Sequence, residues 1–251
     1  MKNKFDNVSD LYDSSLQSLP IEYCKLIKNR FKIKKNDKII DLGCGSGLLT
    51  FELSRFSDYV EGIDISKKMI KIAKNRDKKN KIQWYCSSVE EFDFDINKYS
   101  LIIAYESFHL FSDFENLIKK CELALKNDSY ITIGWCNYAW EERLKDTIIN
   151  VFKDFDIDWG KWGYQRSDDF FYYINRNKNF SSPITEERIQ INTKTHFQDI
   201  ITYLASIDKV ASFGETKRSR LIEELRKKIS KFSLSDYYKG ITSFYIAYSK
   251  K

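Results

Sequence analysis

The chain has 251 residues, 42% hydrophobic and 31% charged, which allows one large domain with a small accessory and excludes a wholly disordered or fibrous protein. No apolar run reaches the roughly 20 residues of a membrane helix, and no signal-peptide core follows Met1, so a cytoplasmic protein without a membrane partner is expected. The formal charge of +6 invites a nucleic-acid reading, but much of the excess lies between Lys67 and Lys79, where Met69, Ile70 and Ala73 recur at helical spacing; a solvated basic helix face accounts for it.

In chain order, Pro20 precedes an amphipathic helix over Ile21 to Phe31, with Leu26, Ile27 and Phe31 on one side. A strand, Lys38 to Leu42, runs into the turn Gly43-Cys44-Gly45-Ser46-Gly47 and a helix through Leu48, Leu49, Phe51, Leu53 and Phe56. Further strands are predicted at Tyr59–Asp64, Ile82–Cys86, Leu101–Tyr105 and Tyr130–Trp135, with helices over the lysine-rich segment and over Asn116 to Leu125. Such alternation predicts an α/β fold with a doubly wound, mostly parallel sheet and a ligand at the carboxyl ends of the strands.

From Asn137 to Pro183 the chain is rich in aromatics, with helical spacing over Glu141 to Phe155, and residues 137–183 are expected to form a cap inserted into a main domain of 1–136 and 184–251. Its rings either pack the insertion onto the sheet or wall a small-molecule pocket. After it come an alternating segment, Arg188 to Asn192, a helix from about His196 to Val210, another from about Thr216 to Ile229, and a closing strand, Ile241 to Tyr248. The two late strands bring the expected sheet to seven. Cys24, Cys44, Cys86, Cys121 and Cys136 form no CxxC pair and, with His109 and His196 the only histidines, no metal site is expected.

The glycine turn discriminates among cofactors. A dinucleotide fingerprint needs a third glycine where Leu48 stands, and no Gly-Lys-Ser/Thr follows as in a P-loop. Asp64, closing the second strand, is placed to accept both hydroxyls of a ribose, so an adenosine-like nucleoside without an obligatory pyrophosphate is expected.

The run Ile39-Ile40-Asp41-Leu42-Gly43-Cys44-Gly45-Ser46-Gly47, followed by Gly62-Ile63-Asp64-Ile65-Ser66-Lys67-Lys68-Met69-Ile70, resembles motif I and its successor in the class I S-adenosylmethionine-dependent methyltransferases. The resemblance implies a Rossmann-like methyltransferase fold, S-adenosylmethionine as cofactor and S-adenosylhomocysteine as product. It implies that Gly43, Gly45 and Gly47 approach the methionine and ribose, with Asp41 near the amino group, Asp64 on the ribose and Ile65 on the adenine, and that Cys44 and Met69 also belong to the cofactor site. Ser88, Val89 and Glu90 fall on the family's adenine loop, with Ser88 where an acid usually stands, and Tyr105 falls on the segment lining the sulfonium. Tyr12 resembles the aromatic that closes over the cofactor, and Ile201 to Ser206 is similar to a helix of the subgroup near trans-aconitate methyltransferase.

The expected acceptor is a small molecule, a heterocyclic, phenolic or carboxylate metabolite methylated on oxygen or nitrogen, with Tyr12, Phe108, His109, Trp135, Tyr138, Trp140 and Trp162 as candidate contacts. His109 is the candidate general base, or else a histidine that packs beside the cofactor. Nucleic acid is a poorer fit, because Tyr105-Glu106-Ser107-Phe108 lacks the N/D-P-P-Y/F sequence of enzymes that methylate exocyclic base amines. An RNA or tRNA methyltransferase and a non-catalytic S-adenosylmethionine-binding protein are the alternatives, and a monomer or homodimer is expected.

Overall fold

The computed structural model describes residues 21–140, 142–158, 180–232 and 237–251. Helix α1 (Ile21–Arg30) buries Tyr23, Cys24 and Ile27 and leads to β1 (Lys38–Leu42), α2 (Leu48–Leu53), β2 (Tyr59–Asp64), α3 (Lys67–Arg76), β3 (Ile82–Cys86) and β4 (Tyr99–Tyr105). Next come a 3-10 turn (Phe108–Leu110), α4 (Phe114–Ala124), β5 (Leu125–Ala139), α5 (Glu142–Lys153), β6 (Thr185–His196), α6 (Phe197–Ser206), α7 (Asp208–Ala211), α8 (Glu215–Ile229) and β7 (Tyr237–Lys250). Among the described residues, no helix is long and apolar enough to cross a membrane.

The seven strands lie in the order β3-β2-β1-β4-β5-β7-β6. The first five are parallel, and β7 inserts antiparallel between β5 and β6. In β1 every residue after Lys38 is buried, the near-continuous apolar run of a strand covered on both faces. One core cluster joins Ile40, Ile63, Ile102, Ile133 and Trp135 to α4; another joins Ile39, Leu101, Ile103 and Phe244 to α1 and α2.

The elements differ from expectation mainly at their ends. Helix α2 stops at Leu53, three residues before Phe56, and α3 stops at Arg76, where the side chain of Asp77 turns to the Lys81 and Ile82 amides and the Trp84 indole. The helix expected to run to Val210 breaks at Ile207, which is extended, so that α7 is separate. Strands β5, β6 and β7 are all longer than predicted, since β5 and β7 pair from Tyr130↔Lys250 to Ala139↔Ile241 and β6 pairs with β7 over its full length. The first residues of the expected cap, 137–139, are therefore sheet.

Helix α5 packs with α6, α7 and α8 through Leu144, Ile148, Phe152, Ile200, Leu204, Val210, Leu221 and Leu225. That helical cluster draws residues from both sides of the predicted 183/184 boundary. His196 caps α6, its Nδ1 accepting from the Gln198 amide, while Lys67, Lys68, Lys71 and Lys74 of α3 face solvent.

Candidate functional site

The carboxyl ends of β1, β2 and β4 meet at the glycine turn. Gly43, Gly45 and Gly47 have φ of +67°, +55° and +88°, the left-handed region that glycine enters without a Cβ penalty. At Gly43 a Cβ would lie 2.5 Å from that of Ser107, and at Gly47 2.5 Å from the Trp84 ring. A Cβ at Gly45 would meet nothing within 4 Å, so the turn is closed at its two ends and open at its middle.

Polar contacts hold the turn. The Asp64 carboxylate accepts from the Gly45 amide at 2.9 Å and from the Ser66 amide at 2.7 Å, and the Cys44 amide donates to the Ile63 carbonyl at 2.9 Å. Ser107 Oγ donates to the Leu42 carbonyl at 2.6 Å. Asp41, beneath the turn, accepts from Thr50 Oγ1 at 2.6 Å. Burial pushes its carboxyl up to about 7, with the Thr50 hydroxyl opposing and the Asp64 charge adding to the rise. Ser46 Oγ is buried in the turn with no hydrogen-bond partner among the described residues.

The predicted cofactor residues separate into those that shape this turn and those that support it. Cys44 contributes its amide; its thiol is buried near Gly62 and Trp84, and burial pushes it well up. Ile65 is 59% exposed beside the turn, whereas Met69 is buried on the inner face of α3, its amide donating to the N-cap Ser66. Val89 is in the core. Ser88 Oγ donates to the Glu90 carboxylate, which also accepts from the Ser112 amide at 2.8 Å and tethers the segment after β3 to the segment after β4. Burial raises the Glu90 carboxyl, but the bonds from Ser88 and Ser112 outweigh it and hold the group below its usual range.

Tyr105 packs against Tyr23, with ring centroids 5.3 Å apart, and both side chains lie against Gly134, where a Cβ would collide with the Tyr23 hydroxyl. That hydroxyl is buried and has no hydrogen-bond partner among the described residues. Glu106 turns the chain at φ +54°, and its carboxylate accepts from the Cys136 amide.

Among the predicted acceptor residues, Phe108 is core, its ring edge-on to Phe114 with centroids 4.0 Å apart. His109 is exposed, 6.3 Å between ring centroids from Trp135. Trp140 packs in the helical cluster, 6.4 Å from Tyr203. Tyr138 lies in β5, its backbone paired with Thr242. Tyr12 and Trp162 fall outside the described residues.

Thr50, Ser107 and Glu106 were not singled out from the sequence. Thr50 has a signal there, as a polar residue on the inner side of an apolar helix one turn after Gly47. Ser107 and Glu106 fall in the run after β4 that resembles the sulfonium-lining segment, but their contacts carry no sequence signal, because these depend on β1 and β5 lying beside β4.

A methyltransferase-domain family model matches residues 33–177, more than half of the chain. The chain belongs to that family. The methyltransferase domain is 36% identical over 112 residues to a ubiquinone biosynthesis O-methyltransferase of Pelagibacter ubique, covering 44% of this chain and 47% of the relative. It is 34% identical over 122 residues to a malonyl-[acyl-carrier protein] O-methyltransferase of Acetivibrio thermocellus, covering 48% and 43%. The matched part thus spans about half the length of these curated relatives.

Two solved structures share the fold. One is a protein of Anaeromyxobacter dehalogenans provisionally assigned as a type II methyltransferase, with TM-score 0.66 and 15% identity over 90% of this chain and 95% of that one. The other is phosphoethanolamine N-methyltransferase 2 of Haemonchus contortus in complex with S-adenosylmethionine, with TM-score 0.56 and 17% identity over 98% of this chain and 57% of that one. The Rossmann-like α/β fold expected from the sequence is the one observed.

Proposed function

We propose that this methyltransferase domain binds S-adenosylmethionine in the glycine turn and transfers its methyl group by in-line displacement to a small-molecule acceptor. The carrying observation is the turn itself: three left-handed glycines, its open middle at Gly45, and the buried, unpartnered Ser46 hydroxyl. These fit a bound nucleoside amino acid, whose polar atoms would satisfy Ser46 and approach the exposed backbone. Asp64 would hold the ribose while its bonds to Gly45 and Ser66 hold the turn, and Asp41 would face the cofactor's amino group. Oxygen as the acceptor atom is supported by the O-methyltransferase names of the curated relatives.

When bound, S-adenosylmethionine supplies an electrophilic methyl on a leaving thioether. The protein's part is alignment, by rigid strand ends and by a wall of Trp135 and His109 beside the transfer end. His109 is exposed there and would take the proton of a hydroxyl acceptor. Residues 137–183, with the α5–α8 cluster, would cap the acceptor.

Calorimetric titration with S-adenosylmethionine, S-adenosylhomocysteine and NAD tests the reading. Micromolar binding of the first two, none of NAD, and loss of binding in Asp64→Ala are expected. A turn that binds none of the three, or an Asp64→Ala variant with unchanged affinity, would overturn the cofactor assignment.

A further inference from the structure

Beyond His109 and Trp135, the same face of the sheet continues through two residues in direct cross-strand register. Trp135 on β5 pairs with Tyr245 on β7, and Tyr245 pairs with Arg188 on β6. Directly opposed residues in antiparallel strands share a face, so the three side chains form one row. The Arg188 guanidinium lies over the Tyr245 ring at 5.4 Å from its centroid and donates to Ser243 Oγ at 3.0 Å. Gln190 Nε2, two residues along β6, also points at that buried hydroxyl, at 3.4 Å.

A guanidinium has five N–H donors, and one is engaged with Ser243. No carboxylate of the described residues comes within ion-pair distance of Arg188. Its sequence neighbour Glu187 is on the opposite face, occupied by Arg30 and the Tyr248 hydroxyl. Glu186, on the same face as Arg188, sits opposite Ala247, one step farther from the carboxyl end of β5. The row therefore begins at a transfer-end histidine, runs over two aromatic rings and ends at a positioned cation.

We propose that Arg188 is the anion-binding end of the acceptor site and that the acceptor is an aromatic or apolar carboxylate. The inference rests on the methyltransferase reading above. The Arg188 guanidinium leans over Tyr245 on β7 and His109 lies against Trp135 on the neighbouring β5, so one small acceptor reaches both ends of the row. A phenolic acid suits the row, its carboxylate against the planar fork of Arg188 and its ring along the half-buried edge of Tyr245 toward His109. The group receiving the methyl then lies at the His109 end.

The test uses the full chain saturated with S-adenosylhomocysteine, titrated with matched pairs of acid and primary amide: 4-hydroxybenzoate, 4-hydroxycinnamate and octanoate, with phenyl phosphate as the phosphate arm. At least one acid is expected to bind roughly ten- to a hundredfold more tightly than its amide. Arg188→Gln should level the pair while S-adenosylhomocysteine affinity and the urea midpoint stay unchanged. Equal binding of acid and amide, retention of the preference in Arg188→Gln, tighter binding of phenyl phosphate, or no binding of any probe to the loaded protein would each overturn the proposal. Failure of S-adenosylhomocysteine itself to bind is read separately: it strikes the methyltransferase reading and takes this proposal with it.

Discussion

Asp41, beneath the turn, carries an electrostatic consequence that titrates between about pH 4 and 7. Burial, with the Asp64 charge adding to it and the Thr50 hydroxyl opposing it, pushes its carboxyl up to about 7. Between about pH 4 and 7 the folded chain keeps a proton that the unfolded chain has released, so this group lowers stability progressively as pH rises through that window and contributes no further change above it. Unfolding free energies from urea titrations between pH 5 and 8 should fall less in Asp41→Asn than in the wild type, the difference reaching the order of a few kcal/mol. On the proposed reading a cofactor ammonium beside Asp41 would favour the ionised form, so affinity for S-adenosylmethionine should rise as pH approaches 7 and flatten in the Asn variant. Tyr23 offers a second measurement. Burial, with Cys136 and Glu106 nearby, drives its phenol well above the usual range, and its hydroxyl lacks a partner among the described residues. Tyr23→Phe should therefore stabilise the fold by about 1 kcal/mol in a urea titration, the ring contacts to Tyr105 and Phe244 being kept.

At the scale of elements, β2 and β4 are tied by more than their apolar residues. Glu61, in the covered part of β2, accepts from the Tyr99 hydroxyl at 2.7 Å, and Lys98 Nζ stands 2.8 Å away. Desolvation lowers the Lys98 pKa, but Glu61 and Asp95 outweigh it and hold the ammonium above its usual range. Lys98→Met leaves a buried carboxylate with one neutral donor, and should cost about 2–3 kcal/mol in chemical denaturation. The elements themselves were largely legible: β1 to β4 fall where apolar runs bounded by turns put them. The ends of β5 and β7 were not, because Asn137 and Lys239 have no strand propensity of their own and are extended by pairing with a neighbour distant in sequence. The break at Ile207 was equally hidden, since an apolar residue there suits the helical period on both sides.

Over the whole molecule, hydrophobic burial divides among the two faces of the sheet and a helical cluster of α5 to α8 with its own apolar centre. Leu204 is fully buried in that centre, so Leu204→Ala should lower stability by about 2–4 kcal/mol. Calorimetry on the same variant should leave S-adenosylmethionine affinity within about twofold of the wild type, because the glycine turn is built from other elements. Trp140 packs in the same cluster and is expected to follow Leu204: if Trp140→Ala instead impairs acceptor use far more than folding, the ring reaches the acceptor as well.

What the sequence determined by itself was local: glycines where φ must be positive, an acid at or next to the end of each of two strands, and alternating strand and helix signals that specify a doubly wound sheet. These features work through the backbone of adjacent residues, so they are readable without knowing what lies beside them. Tertiary structure decided which side chains face one another. It placed Ser107 against Gly43, turned Met69 and Phe108 into the core, and drew α5 into a cluster with the carboxyl-terminal helices. It also aligned Trp135, Tyr245 and Arg188 into one row, since strand register is a property of paired chains and is absent from any one of their sequences.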